Sequence, residues 1–184
     1  MIELLQSYTE IQTYLMGAVN TLLASENLSQ IKLVDHYNGQ YLPDIYDHTN
    51  AFPMPAVFVE FASIEWQDYH RLQQEGATNV RLHICLERYS QGTNDSRDKD
   101  DFLKLLKIPA VINFKMHGFK GEYHNGLARR KDTPDSEFDM MYVHVIDYLT
   151  LMKTSSSKTT VQYVASTDPT REVSVTQDQD LVNP

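Results

Sequence analysis

Cysteine is nearly absent: Cys85 stands alone in 184 residues. That excludes an internal disulfide or a multi-cysteine zinc site, and with them a disulfide-stapled secreted fold. Long apolar runs are missing too, none approaching the roughly 20 residues that span a bilayer. The opening Met1-Ile2-Glu3-Leu4-Leu5 lacks the basic start and continuous apolar stretch of a secretory leader, so a reducing, cytoplasmic origin is expected. Basic charge is scarce, with 16 Lys+Arg against 25 Asp+Glu and a net charge of −9. Such a surface gains nothing on average from meeting a polyanion, which argues against broad binding of nucleic acid or anionic membranes. Several motifs are also lacking: Gly-x-Ser-x-Gly, His-Glu-x-x-His and a glycine-rich phosphate loop with its Lys-Ser/Thr ending.

What is present suffices for one domain with a core. Leu4, Tyr8, Ile11, Leu15, Val19 and Leu22 recur every three or four residues, which predicts an amphipathic helix over 2–24, weakened modestly by Gly17. Asn38-Gly39 between short apolar runs predicts a tight hairpin, and 43–55, with three prolines, a connecting loop. The β-branched and aromatic residues of 56–64 predict a strand, and 65–78 reads as a polar connection. Val80, Leu82, Ile84 and Leu86 alternate with Arg81, His83, Cys85 and Glu87, a strand with one dry and one polar face. Helical spacing returns over 100–118, where Pro109 predicts a kink or a restart. A strand apolar at both parities follows over 138–152, as in a centrally placed strand. From Lys153 the composition turns to Thr, Ser, Gln and Asp and cannot support a core.

The order helix, hairpin, strand, strand, helix, strand defines an α+β class: an antiparallel β-sheet with two α-helices packed on one face, over 1–152. An extended C-terminal arm occupies 153–184, where 161–164 around Tyr163 has the composition to pair as a strand on an open edge.

Candidate chemistry is thin. The seven histidines show no metal-binding spacing on a helix. His83 and His144 lie on predicted strands and are better explained as hydrogen-bonded sheet residues than as ligands. Asp44, Asp47 and His48 resemble a hydrolase or nuclease cluster, yet turns use the same residue types. Asp95, Asp98, Asp100 and Asp101 miss the calcium-loop spacing and suit a helix N-terminus. Cys85, in mid-strand, reads as a packing group. Two features suit an interface: Trp66 with Tyr69 and Arg71 in the 65–79 connection, and the basic cluster Arg129, Arg130 and Lys131 on an expected hairpin tip. No catalytic residue, cofactor or metal is expected, and the chain is read as a non-enzyme. Two other classes stay open: a metal-dependent hydrolase using Asp44, Asp47, His48 and His83, and a monomeric adaptor.

The element order resembles the tail-terminator, or tail-completion, proteins of long-tailed bacteriophages and the related neck rings. The likeness is carried by the opening helix, Pro-Ala-Val-Phe-Val-Glu-Phe at 55–61, the 80–86 strand, the 100–118 helix ending Phe-Lys-Met-His-Gly, and the exit strand over 139–151 with Arg129, Arg130 and Asp132 upstream. It spans about 1–152. The Asn38-Gly39 hairpin, the 43–55 insertion and the C-terminal arm depart from the pattern. The resemblance implies a homo-oligomeric virion ring, typically a hexamer, assembled in the host cytoplasm. Such a ring caps the tail tube protein and docks on the neck connector, and genomic DNA passes through its lumen without sequence-specific binding. It implies no membrane and leaves open a place elsewhere in the neck.

Overall fold

Apolar residues at helical spacing produce one continuous opening helix: α1, Ile2–Tyr14, a π-helical turn, Leu15–Val19, and α2, Asn20–Ser25. Its stripe Ile11, Leu15, Val19 and Leu23 is fully buried. The computed structural model describes residues 2–41, 52–70, 73–87, 96–135 and 141–154. The strands are β1 (Leu33–His36), β2 (Ala56–Phe61), β3 (Glu65–His70), β4 (Gln73–Glu87), β5 (Ala128–Asp135) and β6 (Met141–Lys153), with α3 at Ser96–Met116. The arm beyond Thr154 lies outside the described residues, as do Asp44, Asp47, His48 and Asp95.

The strands form one six-stranded sheet in the order β1-β2-β4-β6-β5, with β3 also paired to β4. Long β4 carries β6 along one side, and β2 then β3 along the other. Because β2 and β3 both run antiparallel to β4, they act as one strand interrupted at 62–64. The helices cover the face bearing Val57, Val59, Leu82, Ile84 and Ile146, with Ile108, Ile112 and Met116 of α3 joining the same core. A smaller cluster, including Tyr41, Phe58, Cys85 and Val143, lies on the other face.

The α+β class stands, with four local differences. The sheet is mixed rather than antiparallel, since β1 pairs parallel with β2; the long connection between them permits what a tight hairpin forbids. Gly39, at φ +88°, does make a turn, but Gln40 and Tyr41 continue it rather than a strand, and Tyr41 packs on the sheet face; the residues after Tyr41 lie outside the described residues. The polar 65–78 stretch holds β3 and the start of β4. Of the two outcomes expected at Pro109 the restart does not occur: the proline lies inside one continuous α3, where the buried contacts of Ile108, Ile112 and Met116 offset the hydrogen bond that proline cannot donate.

Candidate functional site

Residues directly opposite one another in antiparallel strands project from the same face. Glu60, Arg81, Asp147 and Lys131 are in register across β2, β4, β6 and β5. They make a cross-strand row of alternating sign on the face away from the helices. Arg81 Nε donates to Asp147 Oδ1 at 2.6 Å and Nη1 to Glu60 Oε2 at 3.2 Å. The hydrogen bond to Asp147 leads the effects that raise the Arg81 pKa and hold its charge. Arg81 is nearly half exposed, so the row acts more on specificity than on stability.

His83 lies in the next row and is buried. The Glu60 carboxylate can only accept, so Nε2–H of His83 donates to it at 2.9 Å, leaving Nδ1 to accept from the Tyr41 hydroxyl at 2.6 Å. The Tyr37 ring stacks on the imidazole with centroids 3.9 Å apart. This arrangement satisfies a neutral histidine and fastens the turn after β1 to the sheet. It is the hydrogen-bonded sheet histidine the alternation suggested. Burial lowers the His83 pKa, with the Glu60 hydrogen bond opposing it. A histidine whose folded pKa is depressed contributes stability that is fully present above its unfolded value near 6.5 and is lost as pH falls through the folded value. His83→Gln, which cannot titrate, is therefore expected to flatten the stability profile between pH 7 and 5. The difference in slope from wild type, at most about 1.4 kcal/mol per pH unit for one proton, is read from urea unfolding at each pH.

A second buried polar pair links the opening helix to the turn before β5. His124 Nε2 and Glu10 Oε2 are 3.7 Å apart, and neither atom has a hydrogen-bond partner. Glu10 Oε1 accepts the Glu122 N–H at 2.9 Å, and His124 Nδ1–H donates to the Asn125 carbonyl at 2.7 Å. Beside them, α1 and the 119–122 turn enclose a shallow groove of about 680 Å3.

The interface residues expected from sequence are dispersed. Trp66 is half-buried on β3 opposite Gly76, and Tyr69 lies on the same strand, so this segment is a strand and not a loop. Arg71 and Tyr163 lie outside the described residues. Arg129, Arg130 and Lys131 are exposed but sit along edge strand β5, not on a hairpin tip, with a register shift between Arg129 and Lys131. Arg129 Nη1 pairs with Asp132 at 2.9 Å, and His144 Nε2 meets the same carboxylate at 3.3 Å. Sequence reasoning missed the Glu60–Arg81–Asp147 row. Its signal is one charged residue inside a mostly apolar run of each strand: Glu60 in 56–61, Arg81 in 80–86 and Asp147 in 141–152.

Among the described residues no group of three or more His, Cys, Asp or Glu is gathered as a metal site requires, and no helix is long and apolar enough to cross a membrane. Among the described residues, the fold and this surface define a two-layer α+β domain whose sheet ends in β1 on one side and β5 on the other. No family model and no curated protein matches the chain. A solved structure similar to it is a chain of the virion of a native gene transfer agent particle, with 9% identity, 77% of this chain and 92% of that chain covered, and a TM-score of 0.47.

Proposed function

We propose that this chain is a structural subunit that closes with copies of itself into a ring, typically of six. In this reading the ring caps the tail tube of a phage-type virion and joins it to the neck connector, with DNA passing through the lumen. The element order supports the family, and one observation supports the ring: the sheet's two free sides are unlike. On one side β5 exposes Arg129, Arg130 and Lys131, with Asp132 of the same strand paired to Arg129. On the other, among the residues whose exposure is described, lie Asp35 of β1 and Glu65 and Asp68 of β3, with Lys32 just before β1. The cations and the register shift on β5 discourage pairing of β5 with itself and favour an acidic edge. Unlike surfaces on opposite sides make head-to-tail contacts, which close into a ring when the rotation between subunits divides a full turn. A closed ring covers the growing face of a tube and offers a different face above it. It works by shape and turns over no substrate. A net acidic subunit also suits DNA transit, since phosphate attraction would retard passage.

Mass measurement by light scattering, with electron microscopy of the same sample, tests the reading. Annular particles of uniform copy number are expected; a chain that is monomeric at high micromolar concentration, or that hydrolyses a phosphoester with added metal, overturns it. The double substitution Arg130→Glu with Lys131→Glu is expected to abolish assembly and leave the monomer's circular dichroism unchanged, because both side chains are in solvent. Retained rings in that variant remove the edge-charge argument.

A further inference from the structure

We infer that Glu10 and His124 form a clasp held by a proton: His124 is an imidazolium whose Nε2–H donates to Glu10 Oε2, tying the opening helix to the end of β6 while that proton is bound. The inference is independent of the ring reading and starts from a count of donors.

His124 is buried, and its Nδ1 lies 2.7 Å from the Asn125 carbonyl oxygen. A carbonyl can only accept, so Nδ1 carries a hydrogen. In a neutral imidazole Nε2 is then a bare lone pair, and here it faces the Glu10 carboxylate across 3.7 Å. That places two acceptors against each other with no donor between them. Both atoms are shut off from solvent and neither has another partner, and buried polar groups left unpaired are costly. One hydrogen on Nε2 satisfies both atoms. Imidazole is the stronger base of the two, so the nitrogen holds it, and the resulting bond is charge-assisted.

The surroundings favour a proton over a bridging water. Gly121 packs directly on the pair: a Cβ there would collide with Glu10 Oε2 and lie 2.7 Å from His124 Nε2. The Phe119 ring lies beside the imidazole with centroids 5.4 Å apart, and Tyr14 stacks on Phe119. Glu10 Oε1 is already occupied by the Glu122 N–H at 2.9 Å. On α1 the charged group in contact is Glu10, with Glu3 two turns before it. On the turn Lys120 and Glu122 are exposed and Tyr123 is half-buried, and on β6 Lys153 is exposed. Solvent screens those exposed charges, which leaves the proton to the pair itself.

The clasp joins the two layers at one place. The Asn125 N–H donates to the Leu151 carbonyl at 2.9 Å and the Lys153 N–H to the Tyr123 carbonyl at 3.0 Å, so 123–125 is stitched to the end of β6. Ser7, one turn before Glu10, donates to Met152 Sδ at 3.7 Å. A proton bound in the folded chain because it gains a partner stabilises on the acid side, and that contribution is lost as pH rises. Its loss loosens 123–125 and the end of β6 and leaves the main core beneath the helices in place.

Imidazole 15N spectra of the full chain at about pH 6, beside those of Glu10→Gln, test this. The Gln amide is of the same size and can donate to a neutral Nε2, so the variant keeps the contact without the second proton. Wild type is expected to show His124 protonated on both nitrogens, and the variant on Nδ1 alone. A singly protonated His124 in wild type, as a bridging water would give, overturns the inference. Double protonation in both proteins also overturns it, because Glu10 would then not be the partner. Raising the pH to about 8.5 is expected to cut the hydrogen-exchange protection of the Asn125 and Lys153 amides about tenfold in wild type, after correction for intrinsic rates, and not in the variant. Equal protection at both pH values in wild type would mean that the proton fastens nothing and would remove the clasp.

Discussion

Leu82→Ala lowers the unfolding free energy by about 3–5 kcal/mol, within the range measured for leucine truncation in well-packed cores. Leu82 is fully buried and sits between Val59 of β2 and Ile146 of β6 in the same row. It lies beneath the helices in the cluster that includes Leu15, Val19 and Ile112. Neighbours on both sides are held by ladder hydrogen bonds and cannot close inward, so the cavity persists and its cost adds to the lost transfer energy. Domains of this size are stable by about 5–15 kcal/mol, so the variant loses a large share. Chemical denaturation with an unchanged m-value checks it; a loss under 1 kcal/mol would show that the sheet relaxes around the vacancy. Leu151→Ala, at a 39% exposed site of β6, is the matched control.

The elements legible in sequence are those that bury an apolar stripe. The opening helix, β2, the second half of β4, α3 and β6 each carry residues of the main core, and burial is what imposes periodicity on sequence. The others were not legible for physical reasons. Residues 65–78 alternate nothing, because β3 and the start of β4 are held by ladder hydrogen bonds and expose residues such as Glu65, Gln67 and Asp68. Strand β5 reads as a charged turn because an edge strand tolerates charge and Pro134 that an interior strand would reject. Asn38-Gly39 gave the turn correctly but not its sequel, since a local signal does not say whether the next segment pairs with β1 or crosses to His83. The charge row was hidden by register: Glu60, Arg81 and Asp147 are far apart in sequence and meet only once β2, β4 and β6 align.

Gly76→Val is expected to detach β3 from β4 while leaving the helix-covered core folded. The residue is buried in β4 between β3 and β6, opposite Trp66 and Met152. A Cβ there would lie 2.5 Å from Ile64 Cγ2 and 2.8 Å from the Glu65 carbonyl oxygen. The Ile64 side chain can rotate, but the backbone carbonyl cannot retreat without opening the β3 ladder. Overpacking of this kind costs about 1–3 kcal/mol, and branching at Cβ places the substitution at the upper end. Because Glu65, Gln67 and Asp68 of β3 are exposed, the cost falls on that hairpin more than on global stability. Hydrogen exchange should show roughly 30-fold or greater loss of protection, the equivalent of 2 kcal/mol, over the β3–β4 pairing, with Leu82 and Ile146 amides unaffected. If β3 contributes the acidic edge of the ring joint, assembly fails in the same variant although the monomer's core remains intact. Unchanged protection over β3 would mean that the link at 62–64 yields without breaking the β3 ladder, and the close approach at Gly76 would then be incidental.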